Sequence, residues 1–394
     1  MEKVKFKMNL KLAISFLIAK IIYTFSFYLR FGSGNTYPGF IIRKIFPNIL
    51  NTENFKFKKS LIFVTGTNGK TTTSKIISNV LKDNSYKVLH NTSGANLMNG
   101  IVSTFVLSSN VFGKFDYDFG VIEVDELELP NLINYLTPNY IVFLNLSRDQ
   151  LDRSGETDII FSKWLNASKN LKNTIGVFEA SNEKFNDLIN IFGSNKLLFS
   201  ANNSLLKKSN LVGEFNAKNL GAAYVVLSNL RISDSQITSS VYNFTPAYGR
   251  GEIVNYKNLK FKIFLAKNPE SFNGNLKIIS KELSLVNVNL VFIIFNSEIP
   301  DGKDVSWIYD IETKLLEETL SNKKIILSGE RVFDMLVRLK YANLEKNVVF
   351  YNSDVSKCLK FISDNYSSSN EIIVFPNYSA MLNFRKLIIG KKIL

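Results

Sequence analysis

Short apolar runs alternate with stretches of helical periodicity along most of the chain. The first four runs with the length and residue types of buried strands are Leu61–Thr65, Lys87–His90, Tyr117–Val124 and Tyr140–Leu144. Helical patterns such as Ser74–Leu81 separate them. This alternation is typical of a parallel sheet with helices on its faces. It predicts an α/β domain over residues 56–241.

A second set of apolar runs follows in the last third of the chain. These runs are Val288–Phe295, Lys324–Leu327, Asn347–Phe350 and Glu371–Phe375, again with helical patterns between them. Pro246 and Gly249 interrupt the pattern within Tyr242–Gly249. We therefore expect a second α/β domain over residues 242–394.

The segment Leu10–Tyr28 is strongly apolar, but Lys11 and Lys20 interrupt it. A membrane-spanning helix needs about 20 apolar residues. Three interpretations stay open: a spanning anchor, an interfacial helix whose lysines reach lipid phosphates, and a helix packed on the protein's own surface. Residues 1–55 are predicted to be this helix and a turn-rich linker that includes residues 32–39.

The composition excludes a largely disordered chain and a membrane protein with many spanning helices. The chain has 394 residues, 45% of them hydrophobic and 21% charged, which fits a folded globular protein. Its formal net charge of +14 favours phosphates, nucleic acid or an anionic membrane as partners. No basic and aromatic motif typical of nucleic-acid binding is present, so we expect no nucleic-acid partner.

Cys358 is the only thiol and His90 the only imidazole in the chain. An intrachain disulfide is impossible, and a conventional zinc site with four Cys or His ligands cannot be assembled. Any metal should therefore be held by oxygen. A glutaminase would need a nucleophile paired with a base, so release of ammonia from glutamine is expected on another chain.

A phosphate-binding loop follows the first strand. The strand Leu61–Val64 runs into Thr65-Gly66-Thr67-Asn68-Gly69-Lys70-Thr71-Thr72, and a helical pattern begins at once. The glycines let the backbone approach phosphates, Lys70 neutralises the β and γ oxygens, and Thr71 can ligate magnesium. Val64 replaces the first glycine of the strict Walker pattern.

Polar residues also follow other predicted strands. Glu123 ends one of them and is predicted to be the second magnesium ligand, whereas Asp125 and Glu126 are expected in a solvated acidic loop. Three further polar segments are interpreted as turns and helix caps on composition alone: 145–156, 213–219 and 301–310.

Together these segments closely resemble the MurT proteins, the ATP-using subunits of bacterial lipid II isoglutaminyl synthase and a branch of the Mur ligase family. The run Asp301-Gly302-Lys303-Asp304-Val305-Ser306-Trp307 carries the resemblance most specifically. The resemblance implies a Mur-ligase-like central P-loop ATPase domain with a parallel-rich sheet and a C-terminal Rossmann-like α/β domain.

The resemblance also implies a reaction. ATP would phosphorylate the α-carboxylate of D-glutamate in the lipid II stem peptide, and ammonia would displace phosphate to give D-isoglutamine. The implied partner is a GatD-like glutaminase that forms a heterodimer with this chain. The implied cofactors are ATP and Mg²⁺, and the implied location is cytoplasmic, peripheral at the inner face of the cell membrane.

Site residues follow from the same resemblance. The loop residues Thr67, Asn68, Gly69, Lys70, Thr71 and Thr72, together with Asn216 and Arg250, would bind the nucleotide. Thr71 and Glu123 would hold magnesium, and Lys70 would also be catalytic. Asp304 matches the aspartate that completes a catalytic triad with the glutaminase.

The sequence departs from the family pattern in two places. A four-cysteine zinc ribbon would lie between about Leu198 and Leu211, where this chain is short, so no zinc is expected. The family's Asn-Ala-Asp-Asp-Pro is replaced by Glu179-Ala180-Ser181-Asn182-Glu183. Two alternatives stay open: a Mur-type ligase that adds an amino acid to a cell-wall precursor, and a catalytically silent nucleotide-binding scaffold at the membrane.

Overall fold

Two six-stranded sheets form the centres of two successive domains. They belong to a computed structural model that describes residues 10–28, 36–51, 55–91, 95–110, 114–147, 157–245, 248–281, 289–298, 301–302, 304–366 and 371–390. The first sheet comprises β1 Ser60–Thr65, β2 Val88–His90, β3 Phe119–Glu123, β4 Tyr140–Phe143, β5 Ile175–Glu179 and β6 Lys196–Phe199. Its strand order is β2-β3-β1-β4-β5-β6, with parallel pairings.

The second sheet comprises β7 Arg250–Tyr256, β8 Leu259–Phe264, β9 Leu290–Ile294, β10 Lys324–Ser328, β11 Val348–Asn352 and β12 Glu371–Pro376. Its order is β11-β10-β9-β12-β8-β7. The β7–β8 hairpin is antiparallel, and the other pairings are parallel. The change from one sheet to the next falls between Tyr242 and Arg250, where residues 246–247 lie outside the described part of the chain.

Helices cover both faces of each sheet. The N-terminal and central helices are α1 Leu10–Tyr28, α2 Tyr37–Ile45, α3 Lys70–Asp83, α4 Met98–Ser108, α5 Leu129–Ile133, α6 Thr157–Ser168, α7 Asn186–Phe192, α8 Asn203–Lys207, α9 Glu214–Asn229 and α10 Asp234–Tyr242. The C-terminal helices are α11 Pro269–Lys281, α12 Thr313–Leu320, α13 Val332–Tyr341, α14 Val355–Asn365 and α15 Tyr378–Ile389. Each sheet separates two hydrophobic clusters, so each domain is a three-layer α/β unit.

The strand predictions agree with these sheets, but four strands went unpredicted. They are β5, β6 and the hairpin formed by β7 and β8. The burial of β6 and β7 is partial, so neither sequence has the continuous apolar run of a central strand. Both lie at sheet edges, where polar side chains are tolerated.

Helix α1 packs on the protein along one face. Phe16 and Ala19 are fully buried, and the rings of Phe16 and Phe55 are 6.0 Å apart. Gly39 of α2 lies so close to α4 that a Cβ there would be 1.9 Å from the Asn99 carbonyl oxygen. The surface-packed interpretation is therefore confirmed for one face of α1. Within the described ranges, no helix is long and apolar enough to cross a membrane.

Candidate phosphate and carboxylate site

The loop between β1 and α3 has the backbone of a phosphate-binding loop. Gly66 and Gly69 have φ angles of 131° and 88°, a region that favours glycine. A Cβ on Gly69 would lie 2.2 Å from the side-chain oxygen of Asn219. Helix α3 begins at Lys70, so its free N–H groups face the loop. Thr71 is half-buried in this first turn, whereas Thr72 is buried.

The segment after β4 braces the loop. The Asn68 N–H donates to the side-chain oxygen of Asn145 at 2.8 Å, and the Asn145 amide donates back to the Asn68 carbonyl at 3.0 Å. Thr67 Oγ1 donates to the Ser147 carbonyl at 3.1 Å and accepts from the Ser147 N–H at 3.0 Å. These residues are more than a turn and cap, because they fix the loop from the neighbouring strand. Residues 148–156 of this segment lie outside the described ranges.

Lys70 forms a buried ion pair with Glu126. Its Nζ lies 2.7 Å from Glu126 Oε2 and also donates to the carbonyls of Gly66 and Thr67. Burial opposes the charge of Lys70, but the carboxylates of Glu126 and Glu123 outweigh it and raise the pKa of the ammonium. The expectation that Asp125 and Glu126 lie in a solvated acidic loop is wrong: they are 8% and 9% exposed, and the Glu126 carboxylate turns inward to Lys70.

Glu123 is held at the end of β3 by two asparagines. The Asn91 side chain accepts from the Glu123 N–H and donates to the Glu123 carbonyl, both at 2.8 Å. The Asn96 amide donates to Glu123 Oε1 at 3.2 Å. Glu123 is 3% exposed and pairs in register with Val64, the residue before Thr65. Its carboxylate therefore occupies a fixed position beside the phosphate loop.

The C-terminal domain adds cations to these carboxylates. Burial lowers the pKa of the Arg250 guanidinium, and the Glu123 carboxylate opposes that shift. Burial raises the pKa of Glu126, but the charges of Lys70 and Lys267 outweigh it and lower the pKa below its ordinary value. Carboxylates of one domain thus face cations of the other.

A cavity of about 750 Å³ opens between the domains on the Asn68 side of the loop. Asn68, Gly69, Asn216 and Arg250 line it, so four of the predicted nucleotide residues share one space. Glu179 lines it as well and forms a 2.7 Å ion pair with Lys218. The altered segment 179–183 therefore contributes the acidic member of a charged pair to the cavity wall, and α9 contributes the basic member.

The two domains also meet through Asn68 itself. Its side-chain amide donates to Glu270 Oε2 at 2.9 Å, and its side-chain oxygen accepts from the Asn268 amide at 3.2 Å. Asn268 caps α11 by accepting from the Ser271 N–H at 2.9 Å. The position of the phosphate loop is thus tied to the start of a helix in the C-terminal domain.

Asp304 lies on the surface, whereas Lys70 and Glu123 are buried. It is exposed, and its Oδ1 accepts from the Ser306 N–H at 2.8 Å before the 3-10 helix Ser306–Asp310. This contact agrees with a capped turn. Asp301, by contrast, is buried and binds the N–H and hydroxyl of Ser379. Lys303 lies outside the described residues.

The chain matches two family models. Residues 64–207 match the Mur ligase middle domain, and residues 265–381 match the MurT ligase C-terminal model. The chain belongs to the MurT branch of the Mur ligase family. The phosphate loop, Glu123 and Glu126 fall in the first match, and Asp304 falls in the second.

Curated relatives of this Mur ligase cover nearly all of it. It is 28% identical to the lipid II isoglutaminyl synthase (glutamine-hydrolyzing) subunit MurT of Staphylococcus aureus (strain COL), over 88% of this chain and 91% of that protein. It is 24% identical to the MurT subunit of Streptococcus pneumoniae (strain ATCC BAA-255 / R6), over 98% of this chain and 99% of that protein.

Solved structures agree on the fold. MurF from Acinetobacter baumannii gives a TM-score of 0.66 at 16% identity, over 89% of this chain and 79% of that chain. MurF from Thermotoga maritima in complex with ADP gives 0.65 at 15% identity, over 88% of this chain and 82% of that chain. The predicted Mur-ligase fold is confirmed, and the chain is an ATP-dependent ligase of this family.

Proposed function

We propose that this ligase amidates the α-carboxylate of D-glutamate in the lipid II stem peptide, with ammonia from a GatD-like glutaminase. The observation that carries the proposal is the set of charges at the phosphate loop. Lys70, Glu123 and Glu126 of the central domain face Arg250 and Lys267 of a MurT-type C-terminal domain. The substrate class is taken from the MurT relatives, which are lipid II isoglutaminyl synthase subunits.

The proposed reaction has two steps. The substrate carboxylate attacks the γ-phosphorus of ATP, ADP leaves, and an acyl phosphate forms. Ammonia then attacks the carbonyl carbon, and inorganic phosphate and a proton leave as the amide forms. Both steps develop negative charge on phosphate oxygens, so fixed cations in a partly buried site lower the barrier.

The residues of the chain have separate roles in this proposal. Lys70 and the N–H groups of the first turn of α3 bind the β and γ phosphates. Asn68, Asn216 and Arg250, which line the cavity, position the rest of the nucleotide. Arg250 and Lys267 lie on the side of the C-terminal domain, where they neutralise the acyl phosphate.

Magnesium fits the oxygen donors that are present. The carboxylate of Glu123 and the hydroxyl of Thr71 are ligands of the kind that Mg²⁺ prefers, and Glu123 is already fixed by Asn91 and Asn96. Mg²⁺ held there by Glu123 and Thr71 would supply positive charge that neutralises the phosphate oxygens. Asn91 and Asn96 would keep the Glu123 carboxylate aimed at the phosphates.

A second subunit is proposed because this chain lacks the means to hydrolyse glutamine. Burial raises the pKa of the Cys358 thiol, which donates to the Leu327 carbonyl in the C-terminal domain. His90 lies in the central domain against Ser74 Oγ, at 3.1 Å. The only thiol and the only imidazole are therefore in different domains, and no Cys-His pair can form.

The surface near Asp304 suits such a subunit. Arg338 donates to the carbonyls of Ile308 and Ile311 and so fastens the 3-10 helix to α13. On the surface nearby, Tyr309 and Tyr341 are 50% and 71% exposed, with ring centroids 6.2 Å apart. Exposed aromatic residues are typical of interface centres. We propose that the glutaminase docks here and that Asp304 reaches its active site.

Reconstitution tests the proposal. The full chain and a GatD-type glutaminase are incubated with lipid II, ATP and glutamine, and the product is analysed by mass spectrometry. We expect one hydroxyl of the stem peptide to be replaced by an amino group, and we expect Lys70→Ala to abolish this product. A product that has gained a whole amino acid would indicate a Mur-type ligase, and ATP binding without turnover would indicate a silent scaffold.

A further inference from the structure

One face of α1 is apolar and exposed. Ile14, Leu17, Ile21 and Phe25 are 45%, 49%, 46% and 63% exposed. Their spacing of three, four and four residues places them in one row along the helix. The opposite face is the packed one that carries Phe16 and Ala19. We call this row the α1 apolar face.

Helix α2 continues this surface and adds positive charge. It packs against α1, and it exposes Phe40 and Ile45 together with Arg43 and Lys44. The Lys44 ammonium lies 4.5 Å from the centre of the Phe40 ring. Apolar side chains and cations thus alternate over a short distance, which is the composition of a helix surface that binds at a lipid–water interface.

The sequence around α1 and α2 carries positive charges only. Residues 3–52 contain eight Lys or Arg residues and no Asp or Glu. More than half of the formal net charge of +14 therefore lies in this segment. An anionic surface complements it, because Lys and Arg side chains near such a membrane are attracted to its negatively charged headgroups. A neutral or basic protein partner would not be complementary.

We propose that the α1 apolar face lies in the plane of an anionic membrane. Ile14, Leu17, Ile21 and Phe25 enter the boundary between headgroups and acyl chains, while Arg43 and Lys44 contact lipid phosphates. Helix α1 does not cross the bilayer, since its other face is packed on the central domain. This inference rests on the proposed function, because a lipid-linked substrate is met at such a surface.

Vesicle flotation tests the face directly. The purified full chain is mixed with vesicles of phosphatidylcholine alone or with phosphatidylglycerol added, and the fraction that floats is measured. We expect flotation with the anionic vesicles and a loss of it at high salt. We expect the triple variant Leu17→Gln, Ile21→Gln, Phe25→Gln to bind the anionic vesicles at least about tenfold more weakly, because it removes apolar area that would enter the membrane.

A matched control separates this face from exposed apolar residues in general. The control is the double variant Phe333→Gln, Tyr341→Gln, which changes two aromatic residues of α13 that are 64% and 71% exposed. This double variant should float with the anionic vesicles as the unchanged chain does. ATP binding by each variant shows that it is folded. The proposal is overturned if the unchanged chain stays unbound, or if the triple variant floats equally well. It is also overturned if sedimentation shows that the α1 apolar face joins two copies of the chain and no flotation occurs.

Amidation assays with two forms of the substrate distinguish this inference from the proposed function. Flotation requires no lipid II, so it can succeed when amidation fails. With lipid II in detergent micelles, the triple variant should amidate at the unchanged rate. With lipid II in anionic vesicles, the amidation rate of the triple variant should fall about tenfold, by the same factor as its binding to the vesicles.

Discussion

Nζ of Lys70 lies 2.7 Å from Oε2 of Glu126, and both side chains are buried. An ion pair in such a place has lost most of its hydration, so removal of one partner leaves an uncompensated charge. Glu126 therefore fixes Lys70 over the phosphate loop. It positions the ammonium and does not itself need to touch phosphate.

Removal of Glu126 alone should destabilise the protein. Glu126→Ala is expected to lower the free energy of unfolding by about 3 kcal/mol, because Lys70 stays buried without its carboxylate. Lys70→Met combined with Glu126→Leu should recover most of this loss, since replacement of both partners by apolar groups is often neutral. Denaturant unfolding of the single and double variants measures the difference. A double variant no more stable than Glu126→Ala would contradict the assignment.

Glu270 should act on nucleotide binding through Asn68. Glu270→Ala removes the 2.9 Å hydrogen bond that ties the phosphate loop to α11. We expect the KM for ATP to rise about threefold to tenfold, the effect of losing one exposed hydrogen bond, with kcat changed much less. Steady-state kinetics gives both parameters. Glu318→Ala on the exposed side of α12 is the control, and an equal effect there would refute a specific role.

Asp304 should matter for glutamine and not for free ammonia. Asp304→Asn keeps the shape and the Ser306 contact but removes the charge proposed to act in the glutaminase site. We expect glutamine-dependent amidation to fall at least about a hundredfold, as when a triad aspartate is lost. Amidation with ammonium chloride should be retained. Asp364→Asn serves as the exposed control, and equal losses with both nitrogen sources would disprove the assignment.

His90 should make the fold sensitive to acid. Burial lowers its pKa to about 4, and the charges of Lys82 and Lys75 act in the same direction. The unfolded chain, with an ordinary pKa near 6.5, binds a proton first, so stability is complete above about pH 6.5 and falls as the pH drops toward 4. His90→Gln should remove about 2 kcal/mol of the difference between pH 7 and pH 4.5. Unfolding curves at both pH values check this, and an unchanged difference would contradict it.

The sequence predicted the phosphate loop because its signals are local. A strand, two glycines, Lys70 and a helix follow one another directly along the chain, and each of these residue types has a physical reason in a phosphate-binding loop. The parallel sheets were predictable for the same reason, from apolar runs of strand length. The edge strands were missed because their polar positions hide the pattern.

The remainder of the site depends on contacts that sequence spacing does not reveal. Glu126 is 56 residues from Lys70, and Asn145 is 77 residues from Asn68. Composition suggested a solvated loop and a capped turn, whereas the fold brings each side chain to the phosphate loop. The contact of Glu270 with Asn68 spans 202 residues and two domains, so only the folded structure shows it.

Transfer of oxygen-18 is the most direct measurement of the proposed chemistry. Lipid II labelled in the D-glutamate α-carboxylate is converted with ATP, glutamine and the glutaminase, and the inorganic phosphate is analysed. One labelled oxygen in phosphate is expected for each amide formed, because the carboxylate oxygen that joins the γ-phosphorus leaves with inorganic phosphate when ammonia breaks the acyl phosphate. Amide formation with unlabelled phosphate would contradict it.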